Sequence, residues 1–213
     1  MEEFDYETGR LLDVLDELKL SDNTLVLYTS DNGPWNQDKY TKNKKGHPEG
    51  SIFWGDAGRL RNGKGSPYEG GYRLPCIARW PGKIPAGRKS DAIFATIDFM
   101  PTFASLCGFK VPDDRMIDGV DQTNLLLGKS EKGRDTFYFD RAGIRKGKWK
   151  YLKADAHFYG YAREDSRPKE EELYNLEKDL EEKNNLAKKH PKILAELRKL
   201  TESMPKDGPG GIH

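Results

Sequence analysis

Two short stretches of this chain carry residue types suited to chemistry. In YTSDNGPW, Tyr28 to Trp35, an apolar run ends in an acid, an amide and a glycine. Asp31 and Asn32 offer a carboxylate and an amide oxygen, hard donors of the kind that hold Ca²⁺ or Mg²⁺. Asp31-Asn32-Gly33 also suits an ordinary Asx turn, so local composition leaves both readings open. The second stretch, GRLRNGKGSPYEGGYRLP, Gly58 to Pro75, gathers glycines and cations around a single acid, Glu69. Glycine lets a backbone approach a ligand closely, and Lys64 could present a point charge to an oxyanion. A solvated basic loop is the competing reading.

These residues need elements to position them. Asp31 and Asn32 follow Thr24–Thr29, an apolar run with almost no alternation, the pattern of a strand buried on both faces in a parallel sheet. Ahead of it, Asp5–Leu20 places Leu11, Leu12, Leu15 and Leu18 on one face of a helix, and Ser21–Asn23 reads as a turn. Helix, turn and buried strand predict an α/β core, whose ligands lie beyond the carboxyl ends of the strands. Residues 34–71 form a long, weakly periodic segment, a length typical of functional loops. LPCIARWPG reads as a strand stopped at Pro81-Gly82. TIDFMPTFASLCG reads as a helix with Asp98 at its start and Gly108 past its end. From Asp135 to Ala154 the sequence predicts two or three antiparallel strands with a hairpin turn at 145–148. ELYNL predicts a last strand, and His190-Pro191 opens a helix with Ile193, Leu194, Leu197 and Leu200 on its apolar stripe.

Bulk properties narrow the function classes. The 213 residues suit one large or two small domains. Charged residues make up 33% and hydrophobic ones 35%, yet 11% aromatic content argues against disorder. The net charge of +1 comes from interspersed acids and bases, so no basic field points to nucleic acid. No apolar run is long enough to span a membrane. Cys76 and Cys107 stand singly, with no metal-ligand spacing.

Taken in order, LVLYTSDNG, RNGK, YEGGYRLPCIARWPG, ATIDFMPTFASLCG, DGVDQTNLLLG, GIRKGKWKYL and ELYNLEKDLEEKNNLA resemble the C-terminal portion of the sulfatase family, with arylsulfatase A-like motifs. The resemblance covers nearly the whole chain. It implies the C-terminal half of an alkaline phosphatase-like sheet-and-helix α/β core over residues 1–130. The change of sequence texture after Gly128 places a small α+β subdomain with an antiparallel sheet and a C-terminal helix over 131–205, and the composition of PKDGPGGIH predicts a disordered tail over 206–213.

The resemblance also implies site roles. Asp31 and Asn32 would supply two ligands to a divalent cation, usually calcium, with magnesium an alternative. Lys64 would contact the sulfate as the catalytic and substrate-binding cation, and Glu69 to Gly71 would shape its loop. His47 lies in the variable loop where such enzymes read their substrates, although a solvated histidine is the competing reading. The substrate would be a sulfated small molecule or sulfated carbohydrate, and the setting periplasmic, secreted or lysosomal.

The family nucleophile is a formylglycine made from the first residue of a Cys/Ser-x-Pro-x-Arg motif. Cys76 precedes Ile-Ala-Arg and Cys107 precedes Gly-Phe-Lys, so neither fits. In the family the opening residues belong to a longer helix. The expectation is therefore a portion of a sulfatase, inactive by itself, that pairs with the missing N-terminal half or self-associates over its open sheet. A phosphoryl-transfer relative on the same fold and a non-catalytic binding module are the alternatives.

Overall fold

The computed structural model describes residues 2–35, 55–156 and 167–204; His47 and the 206–213 tail lie outside them. The chain divides into two compact units, Met1–Thr29 with Pro75–Asp135, and Ser30–Leu74 with Thr136–His213. Both described sheets are antiparallel, in a mixed helix-and-sheet architecture. Among the described residues no helix is long and apolar enough to cross a membrane.

The first unit opens with helix α1, Glu2–Glu17. Glu2, Glu3 and Asp5 lie in its first turn, where they complement the positive end of the helix dipole. Lys19 ends it in a left-handed conformation, φ 56°. Leu12 and Leu15 are half-buried, whereas Leu11 and Leu18 are 57% and 62% exposed. A short 3₁₀ turn, Ser21–Asn23, leads into strand β1, Val26–Thr29.

Here the structure corrects the expectation of a parallel strand buried on both faces. Strand β1 is half-buried along its length and pairs antiparallel with β2, Cys76–Arg79, from Val26 opposite Arg79 to Thr29 opposite Cys76. An uninterrupted apolar run reports a tendency to be covered; it does not encode which strand pairs with it or in which direction. The pair is braced against α1 by Asp16 and Arg79, 3.1 Å apart. The Trp80 indole also donates to the Asp22 carbonyl at 2.9 Å.

The rest of this unit is organised by one buried carboxylate. Asp98 closes a 3₁₀ turn, Thr96–Asp98, ahead of helix α3, Phe99–Leu106, and is wholly buried. (Helix α2 belongs to the second unit.) Its oxygens accept the amides of Ala95 at 3.0 Å and Val120 at 2.8 Å and pair with the Arg134 guanidinium. The segment entering helix α4, Thr123–Leu126, is thereby tied to α3, and Thr102 Oγ1 accepts the Gln122 amide at 3.0 Å. Pro101 sits in the first turn of α3, where its missing N–H costs nothing.

The second unit holds α2, Glu69–Tyr72, and a four-stranded sheet of β3 (Thr136–Tyr138), β4 (Gly143–Lys146), β5 (Trp149–Leu152) and β6 (Glu172–Asn175), in that spatial order. Gly147, at φ 54°, makes the two-residue β4–β5 turn possible. The register sorts the faces. Tyr138, Ile144, Tyr151 and Leu173 stand in one cross-strand row and pack against helix α5, Pro191–Glu202, through Ile193, Leu194, Leu197 and Leu200. The adjacent row is Phe137, Arg145, Lys150 and Tyr174. Side chains alternate along a strand, so this second row faces away from α5.

Burial pushes the Asp98 carboxyl up. The hydrogen bonds from Arg134 and from the Val120 and Ala95 amides outweigh it and hold the group below the ordinary 3.8. A folded-state pKa below the unfolded one adds stability above the ordinary value, and that stability is lost as pH falls through the folded pKa. Asp98→Ala strands the Arg134 charge and should cost about 3–5 kcal/mol in urea unfolding near neutral pH. The gap between variant and parent should narrow as the pH drops below 3.8. A variant within about 0.5 kcal/mol of the parent would remove Asp98 from the centre of this unit.

Candidate functional site

The Asp31–Asn32 turn and the Lys64 loop belong to the same unit and are hydrogen-bonded to each other through their backbones. The Gly33 amide donates to the Gly71 carbonyl at 3.0 Å, and the Lys64 amide donates to the Pro34 carbonyl at 2.8 Å. The Gly70 amide donates to the Arg61 carbonyl at 2.9 Å. The turn and the glycine-rich loop, distant from each other in sequence, thus meet as peptide against peptide.

The glycines make this meeting possible. A Cβ on Gly33 would sit 1.8 Å from the Gly70 carbonyl oxygen. One on Gly70 would sit 2.1 Å from the Asn62 carbonyl oxygen, and one on Gly71 would sit 2.2 Å from that of Ser66. All three obstacles are backbone, which cannot swing aside as a flexible side chain would. Asn62 supplies a left-handed bend in the loop at φ 58°, a conformation asparagine tolerates better than most residues.

Arg61 anchors the near end of the Lys64 loop. Its guanidinium donates to the Tyr174 hydroxyl at 3.0 Å and to the Glu182 carbonyl at 2.9 Å, and lies 3.7 Å from the centre of the Tyr68 ring. The Tyr68 hydroxyl donates to Glu172 at 2.9 Å, and burial pushes that phenol well above its ordinary range. The ring therefore stays neutral and serves as a flat wall beneath Arg61.

Asp31 is exposed and Asn32 half-buried. The Ser30 hydroxyl lies 3.4 Å from Asp31 Oδ1, and the Asn32 amide nitrogen donates to the Gly33 carbonyl at 3.3 Å. One carboxylate and one amide oxygen fit a hard cation as part of a larger ligand set. Among the described residues no three His, Cys, Asp or Glu side chains cluster so as to hold a metal ion. The Lys64 ammonium lies 5.3 Å from the centre of the Trp35 ring, within cation–π range.

Sequence reading singled out Glu69 in α2 but passed over Lys150 and Glu182, which hold it. Glu69 is 2% exposed, and its carboxylate meets the Lys150 ammonium at 2.9 Å. Lys150 is fully buried and also meets Glu182 at 2.9 Å. The signal lay in WKYL, where strand alternation places Lys150 on the same face as Leu152, but a lysine at a strand end reads as surface.

A sulfatase family profile matches residues 1–109, and one described as N-sulphoglucosamine sulphohydrolase, C-terminal, matches residues 63–207. The chain is 36% identical to an N-acetylgalactosamine-6-O-sulfatase of Bacteroides thetaiotaomicron, over 95% of this chain and 40% of that protein. A protein of the same organism, solved in work on the metabolism of multiple glycosaminoglycans, superposes with a TM-score of 0.76 at 36% identity, over 94% of this chain and 42% of that one. A structure solved with its substrate D-glucosamine-2-N,6-O-disulfate gives a TM-score of 0.64 at 30% identity, over 93% of this chain and 37% of that one. The chain spans about two fifths of the length of these relatives. With both the matched profiles and the identity along its length, this chain belongs to the sulfatase family.

Proposed function

We propose that this chain contributes the sulfate-binding cation and part of the metal site to a sulfatase that hydrolyses sulfate esters of carbohydrates. The observation that carries the reading is the peptide-on-peptide junction of the Asp31–Asn32 turn with the Lys64 loop. The sugar class draws support from the relatives named for N-acetylgalactosamine-6-O-sulfatase activity and solved with a glucosamine disulfate.

Cleavage of a sulfate monoester breaks the bond between sulfur and the bridging oxygen, and negative charge gathers on that leaving oxygen. Lys64, as an ammonium, stabilises charge on the transferring group and holds it in register. Asp31 and Asn32 would hold a divalent cation, calcium or magnesium, through their side-chain oxygens. When bound, such an ion acts as a Lewis acid toward sulfate oxygens. A formylglycine, supplied from outside these 213 residues, would provide the nucleophilic oxygen, since no Cys/Ser-x-Pro-x-Arg motif occurs in them. His47 is proposed to contact substrate from the variable loop.

In an active enzyme carrying these residues, Lys64→Ala should lower kcat about a hundred- to a thousandfold, as expected for loss of a preorganised charge-stabilising donor. Its metal content should stay at the parent level. Asp31→Ala should lower activity and metal content together. Steady-state kinetics on a sulfated sugar, with metal analysis of the same samples, separates the two roles. Full activity in Lys64→Ala would remove Lys64 from the site.

The 213-residue chain alone should bind Ca²⁺ only weakly, because two side-chain oxygens fall well short of the about six to eight that calcium takes. Calorimetric titration checks this. Submicromolar affinity would mean that these residues contain a complete ion site.

A further inference from the structure

We propose that Lys150 is a positioning residue of this site: its buried ammonium clamps Glu69 to Glu182 and so fixes the backbone from which Lys64 and the Asp31–Asn32 turn are held. The inference rests on the sulfatase reading for what the held groups do, but the clamp itself is testable without it.

Lys150 Nζ donates a hydrogen bond to Glu69 Oε1 at 2.9 Å and lies 2.9 Å from Glu182 Oε1 as an ion pair without hydrogen-bond geometry, with the centre of the Phe139 ring 4.2 Å away. The second oxygen of Glu182 accepts the Glu69 amide at 2.7 Å, so Glu182 grips both the side chain of Lys150 and the first peptide of α2. The Glu182 carbonyl accepts from Arg61, whose own carbonyl accepts the Gly70 amide. A closed ring of contacts results, running from Lys150 through Glu182, Arg61, Gly70 and Glu69 back to Lys150. Lys64 lies three residues beyond Arg61, and Gly33 docks on Gly70 and Gly71.

Energetics favour a positioning role over a stabilising one. Removing three charges from water is costly, and a well-packed apolar cluster of similar volume is often as stable or more so. Apolar packing was within reach, since Leu152, Tyr174 and Tyr68 form a buried cluster on this face. Apolar contacts are non-directional, whereas the hydrogen bonds from Lys150 to Glu69 and from the Glu69 amide to Glu182, closed by the Lys150–Glu182 ion pair, admit few arrangements. Glu182 holds its place at φ 52°, an unfavourable backbone conformation for glutamate. Burial pushes both carboxyls up. Lys150, with Arg145 and Arg73, brings Glu69 back below the ordinary range, while Glu182, beside the Glu69 charge, stays above it. Arg145 and Arg73 lie 3.6 Å and 3.9 Å from Glu69.

The test is amide hydrogen exchange on the 213-residue chain, read at Gly33, Lys64 and Gly70 against the amides of α5. Lys150→Met keeps length and apolar stem but loses the charge. Glu182→Ala removes the acceptor of the Glu69 amide and leaves a neutral Lys150–Glu69 pair, so it carries the test if Lys150→Met fails to fold. Both should speed exchange at the three amides by about tenfold or more relative to α5, because local opening is reported by exchange independently of global unfolding. Glu182→Gln, which keeps an acceptor oxygen, should stay near the parent. Leu152→Ala, a packing deletion on the same strand and face, should affect the three amides no more than α5. The proposal is overturned if Lys150→Met and Glu182→Ala change the three amides only in step with α5, as Leu152→Ala does. That outcome is separate from failure of the sulfatase reading, which shows instead as full activity in Lys64→Ala.

Discussion

Gly33, Gly70 and Gly71 occupy points where one peptide plane lies directly on another, with less than 2.5 Å between a hypothetical Cβ and the facing carbonyl oxygen in each case. No other residue fits such a contact without moving main chain. Everything proposed for the site follows from this constraint. A carboxylate, an amide and an ammonium separated by some thirty residues of sequence can serve one ligand only if the segments bearing them meet with small tolerance. Side-chain packing between loops leaves slack of a rotamer or more. Backbone hydrogen bonds from Gly33 to Gly71 and from Lys64 to Pro34 leave far less.

A loop that must be exact needs a rigid support, and the four-stranded sheet supplies it with two unlike faces. The row of Tyr138, Ile144, Tyr151 and Leu173 is spent on α5 and gives the unit its apolar core. The next row carries Arg145, Lys150 and Tyr174, groups that address specific partners: Glu69, Glu182 and Arg61. Hydrophobic burial stabilises this unit, and directional polar contacts from the opposite face determine where the loop lies. The first unit follows a parallel logic around Asp98, whose carboxylate gathers two amides and a guanidinium from three separate segments.

What the sequence disclosed was mostly local. The helices at 2–17, 99–106 and 191–202, the hairpin at Gly147 and the strand ending in Asn175 followed from periodicity, capping and turn chemistry, all carried by neighbours in the chain. The pairing of β1 was not disclosed, because its partner lies some fifty residues away and strand direction leaves no mark in an apolar run. Lys150 was missed for a related reason. Its burial depends on Glu69 and Glu182, both remote in sequence, and a lysine shows nothing by itself of the acids that will surround it. Ordered motif resemblance, unlike periodicity, carried long-range information, and it was that resemblance which pointed to the family.

The central claim is that the Asp31–Asn32 turn and Lys64 address one bound sulfate and its ion. A crystal structure of an active enzyme carrying these residues, with Ca²⁺ and a sulfated sugar bound, tests it most directly. Asp31 and Asn32 oxygens should lie at about 2.3–2.6 Å from the ion. The Lys64 ammonium should lie at about 2.7–3.2 Å from a sulfate oxygen. An ion ligated without Asp31 and Asn32, or a sulfate bound out of reach of Lys64, would contradict it.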